Sequence, residues 1–291
     1  MRGTFSMLLL ALNSVLCCTP LYLMAIVRLA CRGRAHRAMS RYMDRLVDAW
    51  VGINRQTFRA LKLTRVDIDW ACDERLSRDR WYLVISNHQS WADILILQNS
   101  LLGRIPPLKF FTKRQLIWVP LIGVAMWVLG FPYVRRASRE QVAANPQLLE
   151  QDREATLDAC RRFRDHPTSA LNFLEGTRYT PAKHDAQAEA RFEHLLNPKL
   201  GGMSYVVTGL GDQLHKIVDV TIKYPNGIPT FWDLMQGRCS EVRVLVQCRD
   251  LPADVRSAAD SDQVRLRMGP WVDSVWQEKD RRLSGAEALV S

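Results

Sequence analysis

The sequence predicts an α/β domain set behind an N-terminal membrane helix or helical hairpin. Three stretches carry that reading. Residues 81–98, WYLVISNHQSWADILILQ, pass from an apolar run through a polar knot into a second apolar run. Residues 170–174, ALNFL, make another short apolar run that ends directly on Glu175-Gly176-Thr177-Arg178. From Phe5 to Val27 no residue is charged, and Leu, Met, Ala, Val and Ile dominate.

The N-terminal stretch is long enough to cross a bilayer, which takes about 20 apolar residues in a helix. Asn13-Ser14 and Thr19-Pro20 interrupt it, so a bent or re-entrant hairpin held in one leaflet is the alternative. Arg28, Arg32, Arg34 and Arg37 follow without a small-x-small cleavage pattern, which disfavours a removed signal peptide. Positive charge stays on the cytoplasmic side, so the expectation is a cytoplasmic (inner) membrane protein with its domain facing the cytoplasm; a solvated helix face is the plainer reading of the same arginines. The expected division is an anchor over 1–38 and a catalytic domain over 39–291.

The remaining elements follow from periodicity. Met43, Leu46, Val47, Trp50 and Val51 recur at helical spacing within 41–61, and Val66 to Trp70 alternates like an edge strand. Trp81 to Ile85 reads as a buried strand. Ser90 with Asp93 three residues on is a capping signature, so a helix is expected from near Trp91. No charge occurs from Gln115 to Val134, but Pro120, Gly123, Gly130 and Pro132 argue for a short core or interfacial helix and a strand ending at Arg135-Arg136, rather than a second membrane span. Residues 139–166 should form a polar helix with Ala155, Leu157, Ala159 and Phe163 inward. Strands are expected at 217–222 and 242–247, a loop with a short helix over 179–197, and a last helix over about 260–280 with Val264, Leu266, Trp271, Val275 and Trp276 inward.

At 291 residues and 47% hydrophobic, the chain can fill one large domain or two small ones. Forty Lys plus Arg against 30 Asp plus Glu leave a net charge of +10, which suits a nucleic acid or an anionic membrane surface. Zinc-finger spacing, a Gly-aromatic RNA signature and a basic heptad region are all missing, so no nucleic-acid partner is expected. Seven cysteines without a C-x-x-C pair suggest reduced thiols.

His88 falls on the loop after the first strand and Asp93 in the first helical turn. A neutral imidazole takes a proton from an alcohol near pH 7 when a carboxylate holds its other nitrogen. His88 would be the base and Asp93 its orienting partner. A solvated loop histidine beside a helix cap is the plain alternative. Gly176 allows a sharp turn, and Arg178 offers a planar fork for phosphate, although Glu175 and Arg178 could equally be a surface ion pair. Polar turns at the carboxyl ends of strands are where open α/β sheets place ligands.

Asn87-His88-Gln89-Ser90-Trp91-Ala92-Asp93 resembles the N-H-x-x-x-x-D motif of the glycerolipid and lysophospholipid acyltransferases, the lysophosphatidic acid acyltransferase-like family. Phe173-Leu174-Glu175-Gly176-Thr177-Arg178 resembles its F-P-E-G-T-R motif, with Leu174 where the family has proline. Lys109 to Leu116, Pro120 to Gly123 and Gly130 to Arg136 are similar to its intervening blocks. Leu195 to Lys199 and Val218 to Thr221 are similar to the lysocardiolipin-type branch.

The resemblance implies a mixed sheet flanked by helices, the glycerolipid acyltransferase fold. It implies transfer of an acyl chain from acyl-CoA or acyl carrier protein to the free hydroxyl of a lysophospholipid, with 1-acylglycerol-3-phosphate giving phosphatidic acid as the first acceptor and other lysophospholipids as the alternative. His88 and Asp93 would be catalytic. Arg178 and Arg136, with Lys113, would hold the acceptor's phosphate, Gly176 and Thr177 would be substrate-binding, with backbone N–H groups near Gly176 stabilising the tetrahedral oxyanion, and Glu175 would position the glycerol or polarise the site. No metal and no cofactor beyond the thioester co-substrate is implied. A hydrolase would need a nucleophile or a metal cluster that the sequence does not offer. A non-catalytic membrane lipid-binding protein is the reading from another class.

Overall fold

The computed structural model describes residues 1–134, 145 and 147–285. Ten helices occur among them: α1 (Arg2–Ala30), α2 (Gly33–Ala60), α3 (Ala92–Leu101), α4 (Ile122–Val128), α5 (Gln147–Arg161), α6 (Pro181–Asp185), α7 (Gly201–Leu210), α8 (Phe231–Gln236), α9 (Ala253–Arg256) and α10 (Ser261–Ser284). The strands are β1 (Arg65–Ala71), β2 (Trp81–Ser86), β3 (Leu108–Phe110), β4 (Thr112–Lys113), β5 (Tyr133–Val134), β6 (Ser169–Phe173), β7 (Leu214–Lys223) and β8 (Glu241–Arg249).

Six strands form one mixed sheet in the order β1-β8-β7-β2-β6-β3. Only the β7–β8 pair is antiparallel. β2 sits inside, its residues from Tyr82 to Ser86 all buried, as expected for a parallel strand covered on both faces. Tyr82 and Val84 face the layer holding α3 and α8, whereas Leu83 and Ile85 face α5, α7 and α10. Because β2 and β6 are parallel and Ser86 lies opposite Phe173, the two polar turns leave the sheet side by side on one edge.

α10 is tied to the sheet by a buried cation. Lys279 Nζ donates to Asp219 Oδ1 at 2.7 Å, to the Val220 carbonyl at 2.8 Å and to Thr221 Oγ1 at 2.9 Å. With three oxygen partners the ammonium is fully coordinated in the interior, which is the condition for tolerating a charge there. The inward face of α10 is Val264, Met268, Val272, Val275 and Trp276; Leu266, expected inside, is 78% exposed because it lies off that four-residue rhythm. In α5 likewise, Ala159 is buried and Ala155 is exposed. Residues 139–144 of the helix expected there lie outside the described residues.

α1 runs unbroken through Asn13-Ser14 and Thr19-Pro20 and pairs with α2 as a hairpin, so the expected 38/39 division falls inside α2. Cys18 and Leu21 pack against Met43 in that pairing, and polar contacts add to it. Asn13 Nδ2 donates to the Trp50 carbonyl at 2.9 Å and to Asn54 Oδ1 at 2.7 Å, and Trp50 Nε1 donates to Ser14 Oγ at 3.1 Å. Asn13 and Ser14, which interrupt the apolar stretch, thus lie on its inner face, while Thr19 bonds back to the Val15 carbonyl and Leu8, Leu16, Leu23 and Ile26 point outward. Beside α1 lies the apolar segment that the breakers split into a 3-10 turn (Arg114–Trp118), which presents Trp118 at 85% exposure, and α4, which presents Trp127 at 62%. Tyr22 Oη donates to the Leu121 carbonyl, and Arg28 Nη2 donates to that of Val128 at 2.7 Å, joining this segment to α1.

The expectation of uniformly reduced thiols is corrected by a Cys72–Cys248 disulfide with a Cα separation of 4.9 Å. β1 and β8 are neighbours with Ala71 opposite Gln247, so the next residue pair is brought together by register, across 176 positions of sequence.

Candidate active site

His88 Nδ1 lies 2.8 Å from Asp93 Oδ2. Asp93 is fully buried, and its carboxylate is saturated with donors. Oδ2 also accepts the backbone N–H groups of Gln89 at 2.6 Å and Ser90 at 2.9 Å, and Oδ1 accepts the Tyr224 hydroxyl at 2.5 Å. The expected capping box is rearranged: Asp93 reaches back to the Ser90 N–H, but Ser90 Oγ accepts from the Ala92 N–H and donates to the Pro229 carbonyl, and the helix begins one residue past Trp91. Burial and the neighbouring Asp93 charge raise the Tyr224 hydroxyl well above its ordinary value, so it stays protonated and donates.

The imidazole stacks on Phe173, with ring centroids 3.9 Å apart and planes 14° from parallel. With Asp93 as acceptor, Nδ1 carries the proton and Nε2 carries the lone pair, which is the tautomer a base requires. The side chain is 12% exposed.

The second turn clamps the first. Glu175 is completely buried, and its two oxygens accept the His88 N–H at 2.6 Å and the Leu196 N–H at 2.9 Å. On the other side of the same residue, the Tyr179 N–H donates to the His88 carbonyl at 2.7 Å. Burial pushes the Glu175 carboxyl up to about 8 against the pull of the Leu196 and His88 N–H groups. Asn87 completes the frame: its amide donates to the Ile222 carbonyl at 2.8 Å and accepts the Ile222 N–H at 2.9 Å, pinning the end of β2 to β7.

Glu175 and Arg178 do not pair. Arg178 lies over the Trp91 ring at 4.8 Å, beside the His88 loop, with no carboxylate partner among the described residues. Thr177 Oγ1 accepts from Lys183 Nζ at 2.8 Å, and the same ammonium reaches the Arg178 carbonyl at 2.9 Å. Gly176 has φ +70°, where other residues are strained, and its N–H is committed to the Phe173 carbonyl at 2.9 Å. Lys113 lies opposite Val134 in the small β4–β5 sheet, one residue short of Arg135; its side chain, Arg135 and Arg136 lie outside the described residues. The sequence reading missed Tyr224 and the Asn87–Ile222 pairing, for which no local signal exists. It also missed Lys183, for which the only hint was its place just after the second motif.

The general acyltransferase family model matches residues 68–224, more than half of the chain. The chain belongs to the acyltransferase family. Within it the chain is similar to mouse 1-acyl-sn-glycerol-3-phosphate acyltransferase gamma, 29% identical over 68% of this chain and 51% of that protein. Zebrafish lysocardiolipin acyltransferase 1 is 31% identical over 69% and 51%. The chain thus spans about half the length of the curated relatives it matches. The solved PlsC acyltransferase of Thermotoga maritima shares the fold, with a TM-score of 0.52 at 18% identity, covering 97% of this chain and 99% of that one. The stretch of this chain that the family model matches contains His88, Asp93, Glu175 and Arg178, and ends on Tyr224.

Proposed function

We propose that the protein transfers a fatty acyl chain from a thioester, on CoA or acyl carrier protein, to the free hydroxyl of a lysophospholipid, with 1-acylglycerol-3-phosphate as the acceptor and phosphatidic acid as the product. The observation that carries this reading is the His88–Asp93 pair, with the carboxylate saturated by donors and the far imidazole nitrogen left as a base. Nε2 takes the hydroxyl proton as the oxygen attacks the thioester carbonyl. The tetrahedral intermediate collapses by breaking the C–S bond, and the imidazolium returns the proton to the departing thiolate. Asp93 stabilises the imidazolium between these steps. Such general base catalysis contributes about 10² to 10⁴ in rate.

Glu175 acts through the main chain, fixing the peptide that carries His88. Arg178, together with Lys113 and Arg136, supplies positive charge for the acceptor's phosphate. The hairpin and the 116–128 segment serve a lipid-facing role. α1 is about 43 Å long at 1.5 Å per residue, but its middle is hydrogen-bonded to the arginine-rich α2, which suits a hairpin lying in the membrane interface with its outer apolar face in the lipid. Deleting residues 1–30 should release the protein from vesicles.

The test is acyl transfer from labelled acyl-CoA to a panel of lysophospholipids, followed by thiol release. Release in proportion to lysophosphatidic acid supports the reading. A preference for lysocardiolipin would move the acceptor toward the other class of relatives. Transfer to no lysolipid from either donor would leave a lipid-binding protein.

A further inference from the structure

The segment 195–199 forms a second wall of the site that the paired motifs do not include. Leu196 is bound to the buried Glu175, and the Lys199 N–H donates to the Leu174 carbonyl at 2.6 Å, so this stretch is locked onto the second turn from the side opposite His88's peptide. That lock fixes the direction of the Lys199 side chain. It runs across Gly176: a Cβ built on that glycine would sit 3.1 Å from Lys199 Cδ and 3.7 Å from Nζ. The absence of a side chain at Gly176 therefore serves two purposes, the positive φ of the turn and the passage of Lys199 over it.

Three cationic side chains meet at the turn, while the carboxylates of Asp185, Glu193 and Asp280 gather around Tyr179 just beyond it. Glu175 faces inward onto two backbone N–H groups; among the described residues Arg178 rests on Trp91 without a carboxylate, and Lys183 bonds to Thr177 Oγ1 and the Arg178 carbonyl. Lys199 Nζ has no hydrogen-bond or ion-pair partner among the described residues. Lys199 is exposed and its ammonium is solvated, and three cationic side chains meeting at one turn make that face favourable for an anion.

We infer that Lys199 is a substrate-binding residue of this site, holding a phosphate oxygen of a substrate beside Arg178 and so setting the Michaelis constant rather than the chemical step. The inference rests on the acyl-transfer reading above. Two substrates carry phosphate, the lysophospholipid acceptor and the CoA donor, and the same ammonium chemistry suits either.

The experiment compares wild type, Lys199→Gln and Lys199→Arg in the full-length protein, with four substrates. The donors are acyl-CoA and the phosphate-free acyl-N-acetylcysteamine; the acceptors are lysophosphatidic acid and the phosphate-free monoacylglycerol. Lys199→Gln should raise one KM about tenfold while kcat stays within about twofold, the scale of losing one charge-assisted hydrogen bond. A rise for acyl-CoA but not for acyl-N-acetylcysteamine assigns the donor's phosphate. A rise for lysophosphatidic acid but not for monoacylglycerol assigns the acceptor's. Lys199→Arg, which keeps the charge, should hold KM within about threefold of wild type. Equal KM values for wild type and Lys199→Gln on all four substrates would overturn the inference while leaving acyl transfer intact, as would an equal rise on all four. A wild type that transfers no acyl group overturns both.

Discussion

Among the described residues three histidine–aspartate pairs lie within 3.1 Å, and the two that do not join chain neighbours are built differently. His88 and Asp93 are 2.8 Å apart; His166 Nε2 and Asp44 Oδ2 are 2.5 Å apart. The difference lies in what surrounds them. Asp93 receives three further donors, and both the N–H and C=O of His88 are bound by the second turn, so the ring is fixed at the carboxyl edge of the sheet. His166 lies before the start of β6, at the opposite edge, and its partner sits on α2. That pair fastens the hairpin to the α/β body. His184 and His215 also have carboxylates within 3.1 Å, so proximity to an acid marks no histidine as catalytic by itself. In the proposed mechanism, position at a strand end and a fully satisfied acid do.

Substitutions can break this contrast in order of effect. Asp93→Asn should cost the most after loss of His88 itself. An amide oxygen can still accept from Nδ1–H, Gln89 and Ser90, and its nitrogen can donate to the Tyr224 oxygen, so the frame survives while the charge that stabilises the imidazolium is gone. Single-turnover acyl transfer should fall at least about a hundredfold with little change in melting temperature. Tyr224→Phe leaves Oδ1 of a buried carboxylate without its donor. A loss of about tenfold in kcat, with about 1–3 kcal/mol of stability, is expected in paired kinetic and denaturation measurements.

His166→Ala should act on the other side of the comparison. Asp44 loses its partner in a largely buried place, and the melting temperature should drop by about 2–10 °C while kcat stays within about threefold. A kcat loss as large as that of Tyr224→Phe would show that the second pair does more than fasten the hairpin.

A further effect, on stability and not on turnover, concerns pH. Glu175 in the folded protein holds its proton up to about 8, whereas an unfolded glutamate loses it near 4.5. The folded state binds more protons in between, so this group's contribution to stability falls as the pH rises through that window. Thermal melts from pH 5 to 8.5 should slope downward more steeply for wild type than for Glu175→Gln, which has nothing to titrate there. Equal slopes would place the ionised carboxylate in the folded state throughout.

The parts of the site legible in the sequence are those built within one turn of a strand end. Apolar runs broken by His88 and by Glu175 announce themselves, because a buried parallel strand must be apolar and its exit must be polar. What remained hidden is what folding brings from afar. Tyr224 reaches Asp93 across 131 positions, Asn87 finds Ile222 across 135, and the disulfide closes 176. The hairpin was legible as apolar, but its inner face was not: Asn13 and Ser14 read as interruptions until α2 supplied Trp50 and Asn54 as partners. Lys279 shows the same limit, since an interior lysine looks like a surface residue until the three oxygens that hold it are assembled.

The central claim is that the surroundings of a histidine, and not its contact with an acid, make the base. Thiol release from acyl-CoA in the presence of lysophosphatidic acid, measured for His88→Ala beside His166→Ala, tests it most directly. The account predicts a loss of at least about a hundredfold for the first and near-wild-type turnover for the second. Turnover by His88→Ala within tenfold of wild type, or equal losses in both variants, would contradict it.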